Sequence, residues 1–158
     1  MNSLIESVYP LFKLYQSLRT QLVETIKADD LMFTLPKNGS LGELCVEIGE
    51  VQVAYIQSFR SFRLDFNYRV EDPGLAQNLP ALQAWFARLD AELEQVLMGL
   101  SEEDLLEREI DRGEDFKVPP RLQLEIYKEA LLIFYGKASV YLHTLGYRMS
   151  PHWQHWIG

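Results

Sequence analysis

The sequence predicts an all-α protein, an antiparallel four-helix bundle with a long crossover and a short hairpin or loop before the last helix. Apolar residues recur at three- and four-residue spacing in four long segments, and residues typical of helix starts and stops bound these segments. The chain has 158 residues, 47% of them hydrophobic and 24% charged, which is enough for one core. We therefore expect a single domain over residues 1–158, with helices at about 10–28, 41–62, 80–99 and 120–145 and a tail at 147–158.

The first predicted helix is amphipathic and carries Pro10 in its first turn, where no intrahelical donor is needed. Arg19, Glu24 and Lys27 fall off its apolar stripe, on the polar side of the helix. The stripe consists of Leu11, Leu14, Tyr15, Leu18, Leu22 and Ile26.

The second predicted helix follows a cluster of helix-breaking residues, Leu35 to Gly39. Ser40 and Glu43 form a capping box, in which each side chain accepts a hydrogen bond from a backbone N–H that the helix leaves free. The helix therefore begins at Leu41. Its apolar stripe consists of Leu44, Cys45, Ile48, Val51, Tyr55, Phe59 and Phe62.

The third predicted helix begins with Asn78 as its cap and Pro80 in its first turn, and it ends at Gly99. Ser101 with Asp104 predicts one short extra helical turn. Residues 106–118 alternate loosely between polar and apolar, which is compatible with a short hairpin or an extended loop.

The fourth predicted helix begins at Pro119-Pro120 and is closed by Gly146 as a left-handed cap. Its apolar positions are Leu122, Ile126, Tyr127, Ala130, Leu131, Phe134, Ala138, Tyr141, Leu142 and Leu145.

Charge and cysteine content exclude several classes of function. A formal net charge of −8 argues against nucleic acid as the main partner, because phosphates would meet a surface of like sign. The longest apolar run, Ala130 to Tyr135, is too short to span a bilayer, so we expect no membrane association and a cytoplasmic protein. The single cysteine, Cys45, rules out a disulfide framework within one chain, and its place on an apolar stripe predicts a small core residue.

Two segments carry a pattern of a known family. The first is Leu41 to Glu50, and the second is Tyr127 to Gly146, with Tyr135-Gly136-Lys137 in its middle. Together they resemble the DinB/YfiT-like superfamily of four-helix bundles, and with the order and spacing of the helices the resemblance extends over nearly the whole chain. It implies a divalent metal, usually zinc or nickel, held by three histidines, one from the second helix and two from the fourth.

The ligand positions that the resemblance implies are Glu47, Ala130 and Phe134 in this sequence. A methyl group and a phenyl ring offer no lone pair to a metal, and one carboxylate does not hold a transition metal. We therefore expect that the family's metal site has been lost, and we expect no metal and no other cofactor.

A binding pocket at the former metal position is the site hypothesis that remains, formed by Glu47, Tyr127, Ala130, Phe134 and Lys137. A buried carboxylate at Glu47 would need a partner, and the candidates are Lys137, Tyr127 and Tyr141. Two other interpretations of Glu47 stay open: a solvated residue at the edge of the helix, or a catalytic carboxylate.

The C-terminal tail carries two histidine–tryptophan pairs, His152-Trp153 and His155-Trp156. The histidines could ligate a metal if the tail were helical. Alternatively, the tryptophans pack against the bundle or against a neighbouring subunit while the histidines stay at the surface. His143 lies near the end of the fourth helix, where a cationic ring interacts favourably with the helix dipole, and we expect this role rather than a catalytic one.

Three functions are compatible with these patterns. The leading one is a metal-free small-molecule-binding or interaction module, for which the sequence indicates no catalytic activity. The second is a divergent thiol-dependent transferase or metal-assisted hydrolase, in which Glu47 with Glu50, Glu129 or His143 rebuilds a site. The third is a stress-associated structural protein that works as a dimer. The apolar tail and the family resemblance both favour a homodimer.

Overall fold

A computed structural model describes residues 2–158 and shows an all-α bundle, as predicted. The four long helices are α2 (Tyr9–Thr25), α3 (Leu41–Ser61), α4 (Leu79–Met98) and α6 (Pro120–Thr144). The short helices are α1 (Ser3–Ser7), α5 (Glu102–Glu107) and α7 (Pro151–Trp156), and single 3₁₀ turns lie at Ala28–Met32 and Leu75–Gln77. Two short strands, β1 (Ile110–Asp111) and β2 (Lys117–Val118), precede α6.

Side-chain caps fix where the helices begin. The Oγ of Ser40 accepts a hydrogen bond from the backbone N of Glu43 at 3.1 Å, and the Glu43 carboxylate accepts from the backbone N of Ser40 at 2.6 Å. At α4 the Oδ1 of Asn78 accepts from the backbone N of Ala81 at 3.1 Å. Ser101 caps α5 in the same way as Ser40 caps α3. The predicted starts of α3 and α4 agree with the structure because local chemistry determines them.

The segment before α6 is a hairpin rather than an extended loop. β1 and β2 pair antiparallel, with Ile110 opposite Val118. The hairpin docks on the end of α3, where the backbone N of Asp111 donates to the carbonyl of Phe62 at 2.9 Å. Phe62 ends α3 in the left-handed conformation, with a φ of 55°. The hydrogen bond to the hairpin and the left-handed Phe62 therefore fix the position at which the crossover from α3 to α4 begins.

The close approach of α3 to α4 and to the 3₁₀ turn before α4 depends on two glycines. A Cβ at Gly42 would overlap the carbonyl oxygen of Ala76, and a Cβ at Gly49 would overlap the indole ring of Trp85. Both glycines lie on the face of α3 that is packed against its neighbours, and this packing fixes the start of α3 in the bundle.

The apolar face predicted for the first helix is wrong in part. Leu11 and Leu14 are 51% and 45% exposed, whereas Arg19, predicted to lie off the stripe, is fully buried. The buried face instead includes Phe12 and Gln16, which lie seven and three residues before Arg19. Polar groups can occupy this face because hydrogen-bond partners from other helices meet them there.

The C-terminal tail packs on its own bundle. Trp153 is fully buried and donates from its Nε1 to the Oγ of Ser139 on α6 at 2.9 Å. The ring of Trp156 lies 4.7 Å from the ring of Tyr15 on α2, measured between centroids. Of the interpretations of the tail, the structure favours packing against the bundle. Trp153 is therefore taken up by its own bundle and Trp156 is half-buried against Tyr15, which weakens the tail as an argument for a homodimer.

None of the helices within residues 2–158 combines the length and the apolar character that crossing a membrane requires.

Candidate functional site

A cleft of about 350 Å³ lies between the start of α3, the loop before it and the last third of α6. Its volume is at the lower end of the range for small-molecule sites, which runs from about 300 to 1,000 Å³. The lining residues are Leu35, Asn38, Gly39, Ser40, Glu43, Leu44, Glu47, Lys137, Val140 and Tyr141.

Two of the lining side chains carry opposite charges and form no ion pair within the described residues. Glu47 on α3 and Lys137 on α6 are both exposed, and neither forms an ion pair with another side chain of residues 2–158. The Nζ of Lys137 lies 5.1 Å from the centroid of the Phe134 ring. The exposure of Glu47 agrees with a solvated residue at the edge of the helix, and no hydrogen bond joins it to Tyr127 or Tyr141.

The polar groups around this charged pair are held in place by other contacts. The Oη of Tyr141 donates to the carbonyl of Gly39 at 2.7 Å, which ties α6 to the loop before α3. Burial and the nearby Glu43 carboxylate raise the pKa of Tyr141, so this phenol stays neutral and keeps its role as a donor. Because Glu43 is engaged in the cap of α3, Glu47 and Lys137 are the two charged groups of the cleft left free for a ligand.

The structure divides the predicted pocket. It brings Glu47 and Lys137 to one cleft, but Ala130, Phe134 and Tyr127 do not line it. Phe134 is 8% exposed, and Ala130 lies one turn earlier, half-buried. The side chains of α6 that the resemblance aligns with metal ligands therefore belong to packing rather than to the cleft.

Tyr127 lies in the core instead. It is fully buried, its ring stacks on that of Tyr55 with centroids 4.3 Å apart, and its hydroxyl has no hydrogen-bond partner within residues 2–158. Burial raises the pKa of Tyr127 well above its ordinary value. A phenol in such surroundings does not reach a ligand in the cleft, so the prediction for this residue is wrong.

The residues present do not fit the metal that the resemblance implies. At the three aligned positions only Glu47 has a donor atom, beside the methyl of Ala130 and the ring of Phe134. No group of three His, Cys, Asp or Glu side chains that could hold a metal ion occurs in residues 2–158. His152 and His155 do not provide such a centre, since His152 contacts Gln21 at 3.0 Å and His155 is exposed.

A second polar cluster, which the sequence did not reveal, lies inside the bundle. The Nη2 of Arg19 is 2.6 Å from the Oδ1 of Asp90 on α4, and the same oxygen accepts from Gln52 and from Gln16, each at 2.9 Å. Arg19 also donates to the Oε1 of Gln52, and its guanidinium stacks 4.2 Å from the Phe86 ring centroid. This interior cluster, Arg19, Gln16, Gln52 and Asp90, joins α2, α3 and α4.

The interior cluster satisfies most of its hydrogen-bonding groups internally. Burial alone lowers the pKa of Arg19, but the Asp90 carboxylate and the nearby Tyr135 and Tyr127 together raise the pKa above its ordinary value. Only the Nε of Arg19 lacks a partner among the described residues of this cluster. The sequence gives only a weak indication of this cluster. Gln16 and Arg19 share a helical face with Phe12 and Val23, but the face that carries Leu11 and Leu14 is more apolar and therefore predicts a different buried side.

Comparison with known proteins yields a structural match. No family model matches the sequence, and no curated protein matches it. Among solved structures, the chain is similar to a DinB-like protein from Bacillus subtilis, YjoA, with a TM-score of 0.67 and 20% sequence identity over 87% of this chain and 90% of that one. At this identity the likeness concerns the fold. The chain therefore has a DinB-like fold.

Proposed function

We propose that the protein is a metal-free module that binds a small molecule in the cleft between α3 and α6. The observation that carries this proposal is the pair of unneutralised charges, Glu47 and Lys137, on the walls of a cleft that is otherwise partly apolar. Charged side chains without a structural partner do not stabilise the fold, whereas they provide strong hydrogen bonds to a ligand of complementary charge.

The chemistry of the walls defines the class of ligand. The Glu47 carboxylate can pair with an ammonium group of a ligand, and the Lys137 ammonium can pair with a carboxylate. Between them, apolar contacts with a short hydrocarbon part of the ligand can come from Leu35, Leu44 and Val140. The volume of about 350 Å³ sets an upper limit on size. The ligand class is therefore a small molecule with both an amine and an acid, such as a free amino acid.

The enzymatic alternatives have less support. Burial raises the pKa of the Cys45 thiol to about 12, and the side chain is fully enclosed, so it is not a nucleophile. Glu50, a residue considered for a rebuilt site, accepts a hydrogen bond from the backbone N of Val70 at 2.9 Å and lies outside the cleft. A thiol-dependent transferase or a metal-assisted hydrolase would need a set of metal ligands, and of positions 47, 130 and 134 only Glu47 supplies one.

A thermal-shift series on chelator-treated protein tests the proposal. The probes are free amino acids, simple amines and simple carboxylates. At ten times its Kd, a ligand adds about 1.4 kcal/mol of stability, which raises the Tm by roughly 3–6 °C for a chain of this size. We expect such a rise with amino acids and a smaller one with probes that carry a single charge.

Matched variants locate the binding site. Glu47→Gln with Lys137→Met removes both charges of the cleft, whereas Lys13→Met with Glu94→Gln makes the same changes at an exposed ion pair of 2.7 Å elsewhere. The first variant is expected to lose the response and the second to keep it. The same loss in both variants, or a response that requires added Zn²⁺ or Ni²⁺, would contradict the proposal.

We also infer a homodimer in the cytoplasm. The single, buried cysteine fits a reducing compartment. With the tail tryptophans packed on their own bundle, the support for a dimer comes from apolar side chains that α6 leaves exposed.

A further inference from the structure

The outer face of α6 exposes large apolar side chains along most of the helix. Ile133 is 63% exposed, Val140 54% and Leu122 45%, although each is the kind of side chain that a soluble helix normally buries. Ile126 is half-buried on the same face. Isolated exposed apolar residues are ordinary, but a row of them along one helix marks a surface for association.

The residues of this face have a symmetric spacing. Starting at Leu122, the positions on one side of the helix are separated by 4, 3, 4, 4, 3 and 4 residues, and this series reads the same in both directions from Ile133. At 100° per residue all of these positions fall within about 40° of Ile133. The seam, as we name it, consists of Leu122, Ile126, Glu129, Ile133, Lys137, Val140 and Thr144.

A symmetric spacing allows the seam to pair with a second copy of itself in antiparallel orientation. If Ile133 meets Ile133 of the partner subunit, then Ile126 lies opposite Val140 of the partner subunit, and Leu122 lies opposite Thr144 of the partner subunit. Glu129 then lies opposite Lys137 of the partner subunit, so the two charged layers are complementary. A two-fold axis repeats each of these layers, because such an interface is isologous.

The side chains beside the central layer are small. Ala130 and Gly136 lie three residues on either side of Ile133, so they flank it symmetrically. Apart from its chain neighbours and the backbone of its own helix, no atom of residues 2–158 lies within 4 Å of where a Cβ of Gly136 would be, so no contact in the described part of the chain accounts for a glycine in the middle of this helix. A glycine there weakens the isolated helix, but it lets another helix approach closely.

We propose that the seam of α6 is the interface through which two copies of this chain pair, antiparallel and centred on Ile133. This inference rests on the homodimer of the proposed function and assigns its surface. Glu129, like Lys137, forms no ion pair with another side chain of residues 2–158, so both charges are available across the interface. Lys137 and Val140 belong to the cleft as well as to the seam, and the three N–H donors of the Lys137 ammonium allow it to meet a ligand and a partner carboxylate together. Ile133 does not line the cleft, so it separates the two proposals experimentally.

Sedimentation of the full chain at micromolar concentration gives the first test. The wild type is expected at about twice the chain mass of 18.4 kDa. Ile133→Asp places two carboxylates against each other on the axis and is expected to sediment as a monomer. Met98→Asp, at a 54% exposed apolar residue at the end of α4, is the matched control and is expected to remain a dimer.

Charge exchange and cross-linking test the register. Glu129→Lys alone and Lys137→Glu alone each create like-charged layers and are expected to weaken the dimer, whereas the two changes together restore the pairing. Ile133→Cys is expected to give a disulfide-linked dimer on oxidation. Leu122→Cys alone is not, because its two copies are far apart along the seam, by about 33 Å at 1.5 Å per residue.

The outcomes distinguish the homodimer itself from the surface and register assigned to it. A wild type that sediments as a monomer overturns the homodimer and the seam together. A dimer that persists in Ile133→Asp overturns the seam and leaves the homodimer. If the charge exchange fails to restore the dimer and Ile133→Cys fails to cross-link, the antiparallel register is wrong.

Discussion

The interior cluster and the cleft both bring an acidic and a basic side chain near each other, but only one of them neutralises its charges. Asp90 accepts hydrogen bonds from Arg19, Gln16 and Gln52 inside the bundle. Glu47 and Lys137 are exposed in the cleft and form no ion pair within residues 2–158. The difference is that the interior cluster joins three helices, whereas no ion pair of the described residues ties the cleft charges to another helix.

This contrast separates structural charges from binding charges. A buried guanidinium must have partners, since desolvating a charge is costly, and a full set of partners fixes how helices meet. Exposed charges meet water in the free protein and can exchange it for a ligand. Substitutions in the two regions should therefore differ in what they change: stability in the interior, binding in the cleft.

The largest expected effect is the loss of Asp90. Asp90→Ala removes the carboxylate that Arg19, Gln16 and Gln52 share, and it leaves a fully buried charge unpaired. We expect the free energy of unfolding in urea to fall by about 3–5 kcal/mol. Glu94→Ala, which breaks an exposed ion pair, is the control and should cost less than about 1 kcal/mol. Equal losses in the two variants would contradict the claim that Asp90 has a structural role that an exposed carboxylate lacks.

Alkaline pH should lower the free energy of unfolding through the buried phenols of the interior. Burial raises the pKa of Tyr9, Tyr127 and Tyr135 above the ordinary value of 10.0. Because these groups lose protons more easily when unfolded, their contribution is complete below pH 10 and is lost as the pH rises towards their folded-state pKa values. Each should cost about 1.4 kcal/mol per pH unit above 10. Urea unfolding between pH 9 and 11, with absorbance of tyrosinate as a second signal, measures this loss. Stability that does not change over this range would contradict the burial of these phenols.

A smaller effect, of opposite sign, is expected at Tyr127. Its buried hydroxyl has no partner within the described part of the chain, so Tyr127→Phe removes a desolvation cost without breaking a hydrogen bond. We expect no change or a gain of up to about 1 kcal/mol in urea unfolding. Tyr135→Phe is the matched control, since the hydroxyl of Tyr135 donates to the carbonyl of Tyr15 at 2.8 Å, and it should lose about 1 kcal/mol. A loss at Tyr127 as large as that at Tyr135 would indicate a partner for its hydroxyl.

The smallest effect on stability is expected in the cleft. Glu47→Gln and Lys137→Met change exposed side chains without ion pairs, so each should alter the free energy of unfolding by less than about 0.5 kcal/mol. Urea unfolding of both variants beside Asp90→Ala provides the comparison. A loss above 2 kcal/mol in either would show that the cleft charges serve the fold.

The sequence predicted those parts of the fold that depend on local chemistry. Ser40 and Glu43 determine the start of α3 whatever surrounds them, and so does Asn78 for α4. The buried face of α2 could not be predicted in this way. Arg19 is buried because Gln52 and Asp90, 33 and 71 residues away, meet it there, and apolar periodicity carries no information about such partners.

The resemblance and the sequence together named residues that the structure separates. Glu47, at an aligned position, lines one cleft with Lys137, whereas Tyr127 is buried in the core. The other aligned positions, Ala130 and Phe134, do not line the cleft, and ligand binding there stays a prediction. Whether a side chain of α6 faces the cleft or the core depends on how the helix is rotated against α3. The packing of large rings such as Tyr55 against Tyr127 sets this rotation, and spacing along the chain does not reveal it.

Calorimetric titration of chelator-treated protein with the amino acid that gives the largest thermal shift tests the central claim most directly. We predict binding without added metal, and an affinity at least about tenfold lower in Glu47→Gln with Lys137→Met, since a charge-assisted hydrogen bond contributes about 1.5–3 kcal/mol. The same affinity in that variant, or no binding until Zn²⁺ or Ni²⁺ is added, would contradict the claim that the unneutralised charges of the cleft hold the ligand.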